Sequence, residues 1–173
     1  MNGMITFILG GSRSGKSSFA LERASMISGS KAFIATAQAF DDEMRERIER
    51  HKQERSPEWM TFEEQVALPS LISTMHSGYD VVLIDCLTLW LSNLMMNNAD
   101  VEAEIESFLS SAIASPSCLF VVSNEVGMGI VPENALARKF RDFAGTLNRR
   151  MAEIADEVYL ITAGISMKIK ANK

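Results

Sequence analysis

Gly10-Gly11-Ser12-Arg13-Ser14-Gly15-Lys16-Ser17 follows an apolar run, Met4 to Leu9, and precedes Ser18-Phe19-Ala20-Leu21-Glu22-Arg23-Ala24. The run reads as a buried strand and the segment after it as a helix. The glycine-rich stretch thus fits G-x-x-x-x-G-K-[ST] in its strand–loop–helix setting. Glycines lack a Cβ, so such a backbone closes tightly round a polyphosphate. Loop N–H groups and the helix N-terminus add partial positive charge. Lys16 is expected to reach the β and γ phosphates, and the Ser17 hydroxyl to sit on Mg²⁺. The alternative, a Gly/Ser-rich turn without chemistry, does not account for all the matching positions. The stretch predicts a nucleoside triphosphate and leaves the reaction open.

Working outward, the chain has 173 residues, 47% of them hydrophobic, which suits one domain over 1–173 with a sizeable core. A net charge of -5 and the lack of a basic run argue against nucleic acid or an anionic membrane as partner. No apolar run approaches the roughly 18 residues of a membrane span. The N-terminus has no charged region and cleavage site of a signal peptide, so a cytoplasmic location is expected. Cys86 and Cys118 each adjoin an apolar run and read as buried, reduced thiols. No Cys/His cluster has metal-ligand spacing.

Strand-like runs occur at Met4–Leu9, Lys31–Thr36, Asp80–Asp85, Ser117–Ser123 and Glu157–Thr162. A short one, Ile165–Ile169, pairs as an edge hairpin across Ala163-Gly164. Val81-Val82-Leu83-Ile84 and Leu119-Phe120-Val121-Val122 are apolar throughout, as strands buried on both faces are. Helical periodicity runs from Asn134 to Ala155 through Leu136, Phe140, Phe143, Leu147, Met151 and Ile154. Asp41–Arg55, Glu63–Met75 and Val101–Ala114 are further helices, the second interrupted or kinked at Pro69. Asn97–Asp100 and Gly127–Pro132 read as loops. Strands alternating with helices predict an α/β fold with a mostly parallel central sheet flanked by helices.

Asp85 ends a strand at the edge where open α/β sheets bind ligands. Such an acid holds Mg²⁺ in P-loop proteins; it could also cap the next helix. His51 follows Met44 and Ile48 at helical steps, on the inward face of a charged helix. It is either a packed, hydrogen-bonded imidazole or a nucleophile toward phosphorus, with Lys52 and Arg55 to neutralise a phosphate. His76, beside Ser77-Gly78, reads as a C-cap or exposed residue. Glu63, Arg138 and Arg141 carry no decisive signal alone. Asn124-Glu125 lies on the ligand side of the sheet. No Asn-Lys-x-Asp box marks a guanine preference.

Taken in order, several segments resemble one family, the bifunctional adenosylcobinamide kinase / adenosylcobinamide-phosphate guanylyltransferase of cobalamin biosynthesis. They are the loop Gly10–Ser17, Ile34-Ala35-Thr36-Ala37, Asp41–Met44, Arg47-Ile48 with His51, and Trp59-x-Thr61-x-Glu63. Asp85 to Asn93, Val122 to Pro132, Ala137-Arg138-x-Phe140-Arg141-Asp142-x-Ala144-Gly145 and Ala155–Val158 complete the set. The resemblance implies a P-loop NTPase fold. It makes His51 the residue that takes GMP from GTP as a phosphoramidate, alongside Lys16 as catalytic residues. It assigns nucleotide binding to Gly10, Gly11, Ser12, Arg13, Ser14, Gly15, Lys16, Ser17, Ala35, Thr36, Ala37, Lys52, Gln53, Glu54, Arg55, Glu63 and Asp85, with Ser17 and Asp85 on Mg²⁺.

ATP and GTP become substrates, adenosylcobinamide and its phosphate the acceptors, and a homotrimer the assembly. One departure stands out. The family commonly has Arg-Pro four and five residues after the histidine; here Arg55 is followed by Ser56, and Pro57 comes one place later. On residues alone, a P-loop kinase of another small alcohol and a nucleotide-dependent switch binding a protein partner remain alternatives. Retention of GMP on the protein separates them.

Overall fold

Strands that are apolar on both faces need cover on both faces, and the helices of this chain supply it. The computed structural model describes residues 3–38, 56–75 and 78–171. Its strands are β1 Ile5–Gly10, β2 Lys31–Ala35, β3 Trp59–Glu63, β4 Val81–Asp85, β5 Cys118–Asn124, β6 Glu157–Thr162 and β7 Ile165–Lys170. Its helices are α1 Lys16–Ser25, α2 Leu68–Met75, α3 Leu87–Met96, α4 Val101–Ala114 and α5 Ala135–Ile154. The seven strands lie in the order β3-β2-β4-β5-β1-β6-β7. All neighbours are parallel except β6 and β7.

Alternate residues of each strand point to opposite faces. Phe7, Ile34, Ile84 and Val121 pack with Trp90, Phe108, Leu147 and Met151 from the helices of one side. Ile8, Phe33, Leu83 and Val122 pack with Ala20 and Ala24 of α1 on the other. The two alanines let α1 approach the sheet closely, which brings the loop before it to the end of β1. Truncating a side chain such as Leu83, fully buried, would cost about 2–5 kcal/mol.

The β6–β7 hairpin turns at Ala163 and Gly164, whose φ values of 51° and 79° are those of a two-residue primed turn. Asn134 caps α5 by accepting from Ala137 N at 3.0 Å, and Asp100 caps α4 through Ala103 N at 3.1 Å.

The helix expected over Glu63–Met75 is corrected. Trp59–Glu63 is an edge strand paired with β2, and the helix begins only at Leu68. The Glu64 carboxylate accepts from Val66 N and Ala67 N at 2.8 and 2.7 Å, which turns the chain into α2. Pro69 therefore stands in the first turn, where its missing N–H is no loss. The segment Asp41–Arg55 and His76 fall outside the described residues. Among the described residues, no helix is long and apolar enough to cross a membrane.

Candidate active site

The cradle forms where β1 stops. A Cβ on Gly10 would lie 2.3 Å from the Ile161 carbonyl oxygen and 2.7 Å from Ser14 Oγ, so only glycine fits. Arg13 and Gly15 adopt positive φ, 55° and 97°, and turn the loop into α1. Ser14 N donates to the Gly11 carbonyl at 3.3 Å. Lys16, 6% exposed, folds over the loop and donates from Nζ to the same carbonyl at 2.6 Å. The hairpin turn supports the loop from behind, through Gly164 N to the Ser14 carbonyl at 3.0 Å. Ser14 Oγ is buried and has no hydrogen-bond partner. The loop thus curls round a space faced by backbone N–H groups, an inward hydroxyl and a lysine, which is the donor set a polyphosphate requires.

Asp85 is the last residue of β4 and partly exposed. It does not cap α3; that place belongs to Cys86, which makes no side-chain cap bond. β5 separates β4 from β1, so Asp85 stands about 10 Å from β1. That suits an acid reaching a phosphate-bound cation rather than the loop itself. Among the described residues, no group of three or more His, Cys, Asp or Glu side chains could hold a metal unaided. Oxygen donors Ser17 and Asp85, with phosphates completing the shell, fit the preference of Mg²⁺.

Ala35, the end of β2, is in register with Asp85 on one side and Glu63 on the other. The expected nucleotide contacts Ala35, Thr36, Ala37, Asp85 and Glu63 therefore share the carboxyl edge with the loop. Glu63 lies on the edge strand, four strand spacings or about 19 Å from Gly10. The structure thus spreads these residues along the edge rather than gathering them at one point. His51, Lys52, Gln53, Glu54 and Arg55 lie outside the described residues.

A set of buried polar residues, missed by the sequence reading as a group, fixes this edge. The Thr36 hydroxyl donates to the Cys86 carbonyl at 2.7 Å and accepts from Cys86 N at 2.8 Å. Asn93 Nδ2 donates to the carbonyls of Thr36 and Gln65 at 2.8 and 3.0 Å. Thr88 Oγ1 accepts from Asn124 N at 2.7 Å and lies 3.2 Å from Ser123 Oγ, which donates to Asn148 Oδ1 at 2.7 Å. Thr36, fully buried, acts as a brace for the Asp85–Cys86 corner. The available signal was polar residues embedded in apolar runs, Asn93 within α3 and Ser123 after Val121-Val122. The Cys86 thiol is pushed up to about 12, chiefly by burial and then by the charge of Asp85, with Lys16 opposing. It stays protonated and unreactive. Both cysteines are free.

Glu125 N donates to the Gly10 carbonyl at 3.0 Å, tying the next loop to the cradle. Beyond it, Met128, Ile130, Val131 and Leu136 face solvent, Ile130 at 95%. Exposed apolar residues this close in sequence are a candidate binding or assembly face.

Comparisons with known proteins agree with this geometry. The family model described as "Cobinamide kinase / cobinamide phosphate guanyltransferase" matches residues 6–169. The bifunctional adenosylcobalamin biosynthesis protein CobU of Escherichia coli K12 is 40% identical over 182 aligned positions, covering 96% of this chain and 100% of that protein. CobP of Pseudomonas aeruginosa, with the same descriptive name, is 41% identical over 170, covering 96% and 98%. Among solved structures, one from Pyrococcus horikoshii OT3 has a TM-score of 0.63 at 8% identity, covering 99% of this chain and 88% of that one. An ATPase of a bacterial type III secretion system has a TM-score of 0.58 at 12% identity, covering 96% and 57%. These two likenesses concern the fold alone, which with the Gly10–Ser17 loop is that of P-loop NTPases. With matched motifs in order along nearly its whole length, the chain belongs to the cobinamide kinase / cobinamide phosphate guanyltransferase family.

Proposed function

We propose that this chain, as a single catalytic domain over 1–173, carries out both reactions of its family, with adenosylcobinamide as first acceptor. In the first, the acceptor hydroxyl oxygen bonds to the γ-phosphorus of ATP or GTP. The bond to the bridging oxygen breaks, a nucleoside diphosphate leaves, and the hydroxyl proton passes to water. Lys16 and the N–H groups of Gly10–Ser17 stabilise the charge that spreads over the transferred group. Ser17 and Asp85 would hold Mg²⁺, which when bound would neutralise phosphate charge.

In the second reaction, a His51 ring nitrogen bonds to the α-phosphorus of GTP and pyrophosphate leaves. A phosphate oxygen of the phosphorylated acceptor then attacks that phosphorus, the P–N bond breaks, and His51 is freed. Two direct displacements replace one between two anions. Ala35–Ala37 and Glu63, at the carboxyl edge, bind the nucleotide together with Lys52–Arg55. The reaction belongs in the cytoplasm, where nucleoside triphosphates are held. The assembly is a homotrimer, and its interfaces cover apolar surface that one chain leaves open.

The observation that carries this reading is the Gly10–Ser17 cradle with Lys16 folded over it, in a chain matched to the family over residues 6–169. The test is incubation with α-labelled GTP followed by denaturing electrophoresis. Wild type should retain label in an acid-labile, base-stable bond, as a P–N linkage requires. His51→Ala should retain none while still phosphorylating the acceptor, since phosphoryl transfer in line needs no protein nucleophile. Label on His51→Ala protein would move the nucleophile elsewhere. Hydrolysis of GTP without label on wild type would favour a switch.

A further inference from the structure

α5 approaches the sheet from outside its carboxyl edge. Only its later residues, Ala144, Leu147, Asn148 and Met151, are buried. Asn148 meets the end of β5, accepting from Ser123 Oγ at 2.7 Å and donating to the Asn124 carbonyl at 3.0 Å. Asn124 is paired in register with Gly10 of the cradle. Arg141 precedes Asn148 by seven residues, or close to two full turns. It therefore lies on the same stripe of the helix, about 10 Å farther out. That stripe leads outward past the carboxyl end of β5, whose neighbour is β1.

Arg141 is only partly exposed, and its Nη1 is buried without an acceptor. The other described arginines differ. Arg138, one turn earlier, donates to the carbonyls of Pro132 and Glu133 at 3.0 and 2.6 Å. Arg149 pairs with Glu153, Arg150 with Glu106, and Arg23 with Glu157 and Tyr159. Arg13 lies exposed to water. A guanidinium stays charged at any working pH, and a buried donor without an acceptor is costly. A planar fork of donors beside a phosphate cradle matches phosphate oxygens in geometry and charge.

We propose that Arg141 binds a phosphate group in the crevice between α5 and the Gly10–Ser17 loop. This rests on the function proposed above. The phosphate belongs either to the nucleotide or to the phosphorylated acceptor, and the chemistry is the same for both.

The experiment compares wild type, Arg141→Met and Arg141→Lys. Each is titrated by calorimetry with a non-hydrolysable GTP analogue and, separately, with cobinamide phosphate. Arg141→Met should bind one of these at least tenfold more weakly, and the ligand affected names the source. Without ligand it should melt no lower than wild type, because the orphaned donor is gone. Arg141→Lys should recover part of the affinity. Unchanged affinity of Arg141→Met for both ligands overturns the proposal, as does lowered melting with unchanged affinity, the mark of a merely structural arginine. If Arg141→Met does not fold, Arg141→Lys decides. Weaker binding at unchanged melting supports the proposal, and wild-type affinity overturns it. Both transfer reactions are assayed on the same wild-type preparation. Inactive wild type sinks the functional reading, whereas active wild type with an indifferent Arg141 variant sinks only this inference.

Discussion

The Gly10–Ser17 loop and the loop after β5 meet through one hydrogen bond, Glu125 N to the Gly10 carbonyl at 3.0 Å, yet they are built on opposite terms. In the first loop, the base is tightly filled. Gly10 has no room for a Cβ, Lys16 is buried, and the β6–β7 turn holds the Ser14 carbonyl. In the second, Gly129 has no atom within 4 Å of a Cβ position, and Met128 and Ile130 are 83% and 95% exposed. The first is shaped in advance for a small, highly charged group. The second carries core-type residues with nothing to pack on. On the proposed reading, one chain supplies the whole phosphate cradle, while the apolar loop is the surface left for a larger partner.

The comparison breaks first at Lys16. Lys16→Ala should lower phosphoryl and guanylyl transfer by about 10²–10³-fold, or roughly 3–4 kcal/mol of transition-state stabilisation. Its fold should persist, because the loop's other hydrogen bonds are between backbone groups. Steady-state assays beside a circular dichroism melt check both halves. A folded variant keeping most of its activity would mean that the cradle is not the catalytic nucleotide site.

The same substitution on both sides sharpens the contrast. Gly10→Ala forces a Cβ against the Ile161 carbonyl oxygen at 2.3 Å, and backbone there has to shift. It should cost about 1–3 kcal/mol as overpacking, together with nucleotide affinity. Gly129→Ala meets nothing and lies outside the positive-φ region, so it should stay within about 0.5 kcal/mol of wild type. Urea unfolding of the two variants measures the difference, and equal midpoints would dissolve it.

How far the sequence is legible follows the same division. The cradle obeys local rules, so glycine positions, the apolar strand before it and the helix after it all read correctly. So do β4, β5, the long helix from Asn134 and the Ala163-Gly164 hairpin. β3 does not, because it is an edge strand. Met60, Thr61 and Glu63 face solvent, and no alternation marks it against the helix that follows. Glu64 reverses the chain with its own side chain, a device that a helical periodicity over Glu63–Met75 conceals. The polar braces were hidden for another reason. Ser123 and Asn148 are 25 residues apart and Thr36 and Asn93 are 57 apart, so nothing local connects them. Arg141 carries no decisive signal alone; its orphaned donor is visible only in the fold.

Asn93 tests whether those braces belong to the filled side of the comparison. It is 3% exposed, and one amide group serves the carbonyls of Thr36 and Gln65. Asn93→Ala leaves both acceptors buried without it, at a cost of about 1–3 kcal/mol. Because the released loop carries Thr36 and borders Asp85, the KM for nucleotide should rise as well. Loss of stability with an unchanged KM would confine Asn93 to the fold.

The smallest effect on the single chain is expected at Ile130, and there the comparison is most exposed to failure. Replacing a side chain already 95% in water changes little on folding, so Ile130→Ser should unfold within about 0.5 kcal/mol of wild type. If the apolar loop is covered when chains assemble or the acceptor binds, the cost appears there instead. Burying an isoleucine contributes about 1.5–3 kcal/mol, which corresponds to roughly 10–100-fold in an association constant. Sedimentation equilibrium should therefore show a weakened trimer, or steady-state assays a raised KM for the acceptor with the KM for GTP unchanged. Ile130→Ser indistinguishable from wild type in assembly and in both KM values would show that this surface is ordinary exposed loop. The open side of the molecule would then need another explanation.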